Sequence, residues 1–181
     1  MRLTPMAAAA TLLIMAAAPA SAQQQTVSLK LGEAVTLTID DGGRVIEARR
    51  GPAAALSPFE REWARHASRG EYDWASGATA MAIPSGEDGI PAAPQVQAGE
   101  LRIKFVPLPG DHSMLVLENG YPNAVKYRAR IHRAGAEGAT DVCEALPDKF
   151  GLEHWPYPIE RIDLHGFTFR PWIGDREPVC E

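Results

Sequence analysis

From Val27 to Ile39 apolar and polar residues alternate with a period of two, a rhythm that suits strands and excludes helices. Val27, Leu29 and Leu31 share one face, with Thr26, Ser28 and Lys30 on the other. After Gly32-Glu33 the pattern resumes through Val35, Leu37 and Ile39, and these β-branched residues suit a half-buried pleated surface. Asp40-Asp41-Gly42-Gly43 reads as a tight turn, since glycine supplies the positive φ that hairpins require. Arg44 to Arg49 then returns as a third strand through Val45 and Ile46. Residues 23–50 are therefore expected to form a β-meander.

The second half, 100–181, repeats the rhythm. Leu101, Ile103 and Phe105 alternate with Arg102 and Lys104 until Pro107-Leu108-Pro109-Gly110 interrupts them. Met114 to Leu117 is an unbroken apolar run, as expected of a strand covered on both faces. Asn119-Gly120-Tyr121-Pro122-Asn123 is a turn, and Val125, Tyr127, Ala129 and Ile131 follow in alternation. Further strands are expected near 140–145 and 160–170, the latter through Ile162, Leu164, Phe167 and Phe169. Short strands between turns, with no βαβ rhythm, predict a mainly β, antiparallel domain: an immunoglobulin-like sandwich or a small barrel.

One helix interrupts the strands. In Ser57-Pro58-Phe59-Glu60, Ser caps, Pro takes the first helical position and Glu closes a capping box. Phe59, Trp63 and Ala67 then form an apolar stripe, and Arg65, Arg69 and Gly70 suit a helix end. A short helix packed on the sheet is expected across 57–69. From 75 to 99 periodicity is lost among Gly77, Gly86, Gly89, Pro84, Pro91 and Pro94, so this stretch reads as a loop or flap.

The N-terminus places the domain. Arg2 precedes an apolar block from Ala7 to Ala18, Pro19 breaks it, and Ala20-Ser21-Ala22 gives a small-x-small cleavage pattern. Residues 1–22 thus read as a cleaved secretory signal peptide, too short to span a bilayer, which needs about 20 apolar residues. Cleavage leaves 159 of 181 residues, enough for one domain with a substantial core, and losing Arg2 takes the formal charge from −5 to −6. An anionic domain is a poor match for nucleic acid, whose binding draws on phosphate neutralisation. No later stretch is apolar enough to embed in a membrane, so a periplasmic or secreted domain is expected. In that setting Cys143 and Cys180 are expected to pair, closing a loop of about 38 residues.

Two features carry binding chemistry. Alternation puts Lys126, Arg128, Arg130 and His132 on one strand face, spaced about 7 Å apart. Such a row can hold an anionic ligand or a partner's carboxylates; the structural alternative is a solvated face paired with carboxylates such as Glu118. His154-Trp155-Pro156-Tyr157-Pro158 is a stiff extended segment whose aromatics can stack on a ligand or close one end of the core.

Other chemistry finds little support. His66, His112, His132, His154 and His165 show no metal-ligand spacing, and HExxH and CxxC are absent, so no metal or cofactor is expected. Ser76 and Ser85 precede glycine without a GxSxG elbow. Asp111-His112-Ser113 is only a sequence neighbourhood, and Glu60, Glu62 and Asp73 are only possible carboxylate partners. The leading expectation is an exported, non-catalytic binding module for an unknown protein or anionic ligand. The alternatives are a cell-envelope hydrolase, an acidic inhibitor of a cationic enzyme and, ranked last, a metal carrier.

Overall fold

The computed structural model describes residues 25–69, 92–174 and 178–181, without the side chains of Ala67 and Arg69. The expected signal peptide and the 75–91 part of the expected loop lie outside them. Among the described residues nine strands and one helix follow in chain order: β1 Val27–Lys30, β2 Glu33–Ile39, β3 Val45–Pro52, α1 Pro58–Arg69, β4 Leu101–Leu108, β5 His112–Asn119, β6 Ala124–Arg133, β7 Ala136–Thr140, β8 Lys149–Trp155 and β9 Arg161–Arg170. They form two antiparallel sheets, β1-β9-β6-β7 and β3-β2-β4-β5-β8. The domain is thus mainly β, a two-sheet sandwich with one short helix.

The first three strands depart from the expected meander. β2 pairs with β3, but β1 crosses to the other sheet and pairs with β9, Val27 facing Leu164 and Leu29 facing Ile162. Alternation alone hides this, because Val27 and Leu29 enter the same core from one sheet that Val35 and Leu37 enter from the other. Gly32 makes the crossing with φ +90°. Its N–H donates to Phe105 O at 2.7 Å in one sheet, while Leu31 N–H reaches Glu160 O at 3.1 Å beside the other.

The five-stranded sheet is apolar on both faces, as the Met114–Leu117 run predicts. Leu115 and Leu117 point between the sheets, whereas Met114 and Val116 point outward under α1. There Phe59, Trp63 and Ala64 pack on Val106, Leu108, Phe150 and Leu152. The capping box forms as the sequence predicts: Glu60 N–H reaches Ser57 Oγ at 3.2 Å and Ser57 N–H reaches Glu60 Oε2 at 2.6 Å.

The same Glu60 is almost fully buried, and Lys104 Nζ on β4 meets its Oε1 at 2.5 Å. One carboxylate therefore caps the helix and ties it to the sheet. Removing one partner of a buried pair strands the other charge, at a cost of about 3 kcal/mol. Lys104→Met is expected to lose that much in urea unfolding, and Glu60→Gln added to it to recover part. Equal stability of Lys104→Met and wild type would show the pair to be inert.

Two loops are set by close packing. A Cβ at Gly120 would lie 1.8 Å from Gln97 O, so the Asn119–Asn123 turn admits only glycine there. Fully buried Asn119 organises that turn, its Nδ2 donating to Ala145 O at 2.8 Å and Asn123 O at 2.9 Å. Near the end of the chain, Cys143 and Cys180 are disulfide-bonded as expected. Residues 179–181 run antiparallel to 142–144, with Val142 N–H to Glu181 O at 2.9 Å and Glu181 N–H to Val142 O at 3.0 Å.

Candidate functional site

Strand β6 carries the basic row on the outer face of the four-stranded sheet, while Val125, Tyr127, Ala129 and Ile131 face the core. The row is not uniform. At one end, the Lys126 ammonium bonds the Glu181 carboxylate, and that bond holds Glu181 below the ordinary carboxylate range. At the other end, His132 Nε2 lies 2.6 Å from Asp163 Oδ2, and its Nδ1 lies 3.2 Å from Glu137. Burial pushes the Asp163 carboxyl up, but hydrogen bonds from Ser28 and His132 and the Arg161 charge outweigh it, so Asp163 sits low.

The middle of the row is looser. Arg128 stands 3.8 Å from Glu181 with its side chain 63% exposed, and Arg130 stands 3.5 Å from Glu137 with 48% exposed. Both line a cavity of about 450 Å³ with Ala129, Ala139, Thr140, Asp141, His165 and Glu181. The carboxylates serving the row are Glu181, Glu137 and Asp163. Glu118, offered by the sequence as a partner, lies instead in the other sheet beside Arg102 at 3.9 Å. A turn near 119–123 suggested proximity, but β5 and β6 belong to different sheets.

The aromatic–proline segment does not join the row. Trp155 is buried in the inter-sheet core, its Nε1 donating to Thr140 Oγ1 at 2.9 Å, so it is not available to stack on a ligand. Ile159 is buried too, and its N–H reaches the buried Ser113 Oγ at 2.9 Å, fastening the prolines to β5. Tyr157 is half-buried beneath the Arg133 guanidinium, 4.4 Å from the ring centroid. His154 lies on the opposite, outer face of the five-stranded sheet, beside His112. Between Trp–Pro alternation and an exposed binding strip, the apolar effect of burying Trp155 prevails.

Sequence reasoning missed His165, Thr140, Asp141 and Glu181 as neighbours of the arginines. His165 faces Arg128 across β9, behind a register shift between Lys126 and Arg128 that simple alternation cannot anticipate. It also missed Glu153, which enters the inter-sheet space at the β8 edge and accepts Cys143 N–H at 2.6 Å. Burial raises its carboxyl to about 8, against the lowering effect of that hydrogen bond and with a further push from Asp141. The Tyr127 hydroxyl, fully buried, is raised by burial and then by the Glu153 charge.

The His132–Asp163 contact has the pairing of a catalytic dyad but not its arrangement. Ser28 bonds to the carboxylate, whereas serine activation needs the hydroxyl on the imidazole. The described residues contain no group of three or more His, Cys, Asp or Glu side chains able to hold a metal ion. Among them no helix is long and apolar enough to cross a membrane. Neither known protein families, nor curated proteins, nor solved structures give a match to this chain. Fold and site together define a disulfide-tied β-sandwich with a cleft on one sheet where Arg128 and Arg130 face Asp141 and Glu181.

Proposed function

We propose that this chain is an exported, non-catalytic binding module that holds a carboxylate-bearing ligand between Arg128 and Arg130. The observation that carries the reading is the contrast along β6. The Lys126–Glu181 ion pair closes one end and the short His132–Asp163 contact the other, while two exposed guanidiniums at a cavity keep only pairs of 3.5 and 3.8 Å. Guanidinium forks bind carboxylates in bidentate fashion, so unfilled donors there favour an anionic group. The Glu181 carboxylate beside Arg128 indicates the chemistry the cleft accepts. Export is supported by the N-terminal pattern and the disulfide.

The test is calorimetric titration of the protein with trigalacturonate, triglutamate and inorganic phosphate, at low and physiological salt. Binding of a carboxylate probe is expected, lost in Arg128→Ala/Arg130→Ala and strengthened about threefold in Glu181→Gln, which removes the internal competitor. Preference for phosphate, or a double-alanine variant that binds like wild type, would overturn the assignment. So would the absence of binding by all three probes at low salt.

A further inference from the structure

His112 on β5 and His154 on β8 share the outer face of the five-stranded sheet, because Met114, two residues after His112, is the register partner of His154. Nδ1 of His112 lies 3.0 Å from Nε2 of His154, with ring centroids 5.0 Å apart and ring planes at 53°. Both rings are half-buried. Their surroundings set them apart from the other paired histidines. His132 has Asp163 and Glu137, and His66 has Glu62, whereas among the described residues neither His112 nor His154 has a carboxylate within 4.0 Å.

The facing nitrogens of the two rings make one N–H···N contact, so one of them presents its lone pair to the other. Neutral imidazole is the metal-binding form. Geometry narrows the metal. Two nitrogens 3.0 Å apart, each about 2.05 Å from one ion, subtend about 94° at it. That is the cis angle of a tetragonal centre, narrower than the tetrahedral angle zinc prefers.

We propose that His112 and His154 form a paired-imidazole site for a tetragonal divalent cation, Cu(II) foremost, with solvent in the remaining positions. Without metal, the facing nitrogens share one proton. When the ion binds, the donor ring carries its proton on its far nitrogen, so both facing lone pairs are free and the proton count is unchanged. This site lies on the five-stranded sheet, away from the arginine-lined cleft on the other, and does not depend on the function proposed there.

The test is addition of one equivalent of Cu(II), or of Zn(II), to the whole protein in a weakly coordinating buffer, read by electron paramagnetic resonance and by thermal unfolding. A tetragonal spectrum with two coupled nitrogens is expected, together with a rise in Tm and tighter binding of Cu(II) than of Zn(II). His112→Gln and His154→Gln are each expected to weaken Cu(II) binding by at least about tenfold. His66→Gln and His132→Gln are expected to leave it unchanged. Both pair variants retain the apo Tm if they fold normally, which separates lost ligation from lost structure. Cu(II) binding that is undiminished in the double His112→Gln/His154→Gln variant would overturn the proposal, as would a spectrum with no coupled nitrogen.

Discussion

Raising the pH from about 5 to about 9 is expected to weaken the fold by about 2–3 kcal/mol through Glu153, and Glu153→Gln is expected to abolish that part of the loss. The sign follows from the direction of the shift. Burial lifts the Glu153 carboxyl from an ordinary 4.5 to about 8, so the folded chain holds this proton more tightly than the unfolded one. Its contribution is fully present below 4.5, shrinks as pH rises and is gone above about 8. The full shift would correspond to about 5 kcal/mol; a half-buried residue at a sheet edge warrants roughly half. Glutamine keeps an oxygen to accept the Cys143 N–H, now bonded at 2.6 Å, and carries no charge to desolvate. His154, held low by burial, changes stability in the opposite sense, losing it as pH falls. The difference between wild type and variant removes that contribution. Urea unfolding of both proteins at the two pH values measures it, and parallel losses would show that Glu153 ionises without consequence for the fold.

Glu153 also marks how far the sequence could be read. Alternation marked β1, β2, β4, β5, β6 and β9 because one face of each must leave water, and that requirement is local. The strand expected near 140–145 is instead β7 at Ala136–Thr140, and β8 at Lys149–Trp155 was not foreseen. The unbroken apolar run showed that Met114–Leu117 would be covered twice, and the capping box that Ser57–Glu60 would start the helix. Alternation could not say which strand lies beside which. The partnership of β1 with β9 rather than β2, the separation of Glu118 from the basic row and the meeting of His112 with His154 all depend on long-range pairing. The basic row itself was legible as one face of β6. Its division into closed ends and an open middle was not, because Glu181, Glu137 and Asp163 reach it from three other segments. Trp155 shows the remaining ambiguity: an aromatic among prolines satisfies a core and a binding strip equally until its neighbours are known.

Removing the disulfide, as Cys143→Ser/Cys180→Ser, is expected to cost about 4 kcal/mol, from the entropy released to a loop spanning a sequence separation of 37. For a domain of this size that corresponds to a fall in Tm of about 8–15 °C. The local structure adds a second consequence. Beyond the disulfide, residues 178–181 are held by few bonds: the Val142–Glu181 pair, Glu144 N–H to Val179 O at 3.0 Å, and Val179 N–H to the Glu144 carboxylate at 3.3 Å. Glu144 itself is buried and retains Arg170, whose Nε donates to it at 2.7 Å, so the body of the sandwich should survive the change. The tail should fray, and Glu181 should leave Lys126 and Arg128. The double-serine variant should therefore melt earlier yet, below its transition, bind a carboxylate probe at least as tightly as Glu181→Gln. Reduction of the wild-type protein by dithiothreitol should reproduce both effects. A Tm lowered by less than about 3 °C would show that hydrogen bonds alone hold the tail. A lowered Tm with unchanged probe affinity would show that the tail stabilises the fold without screening the arginines.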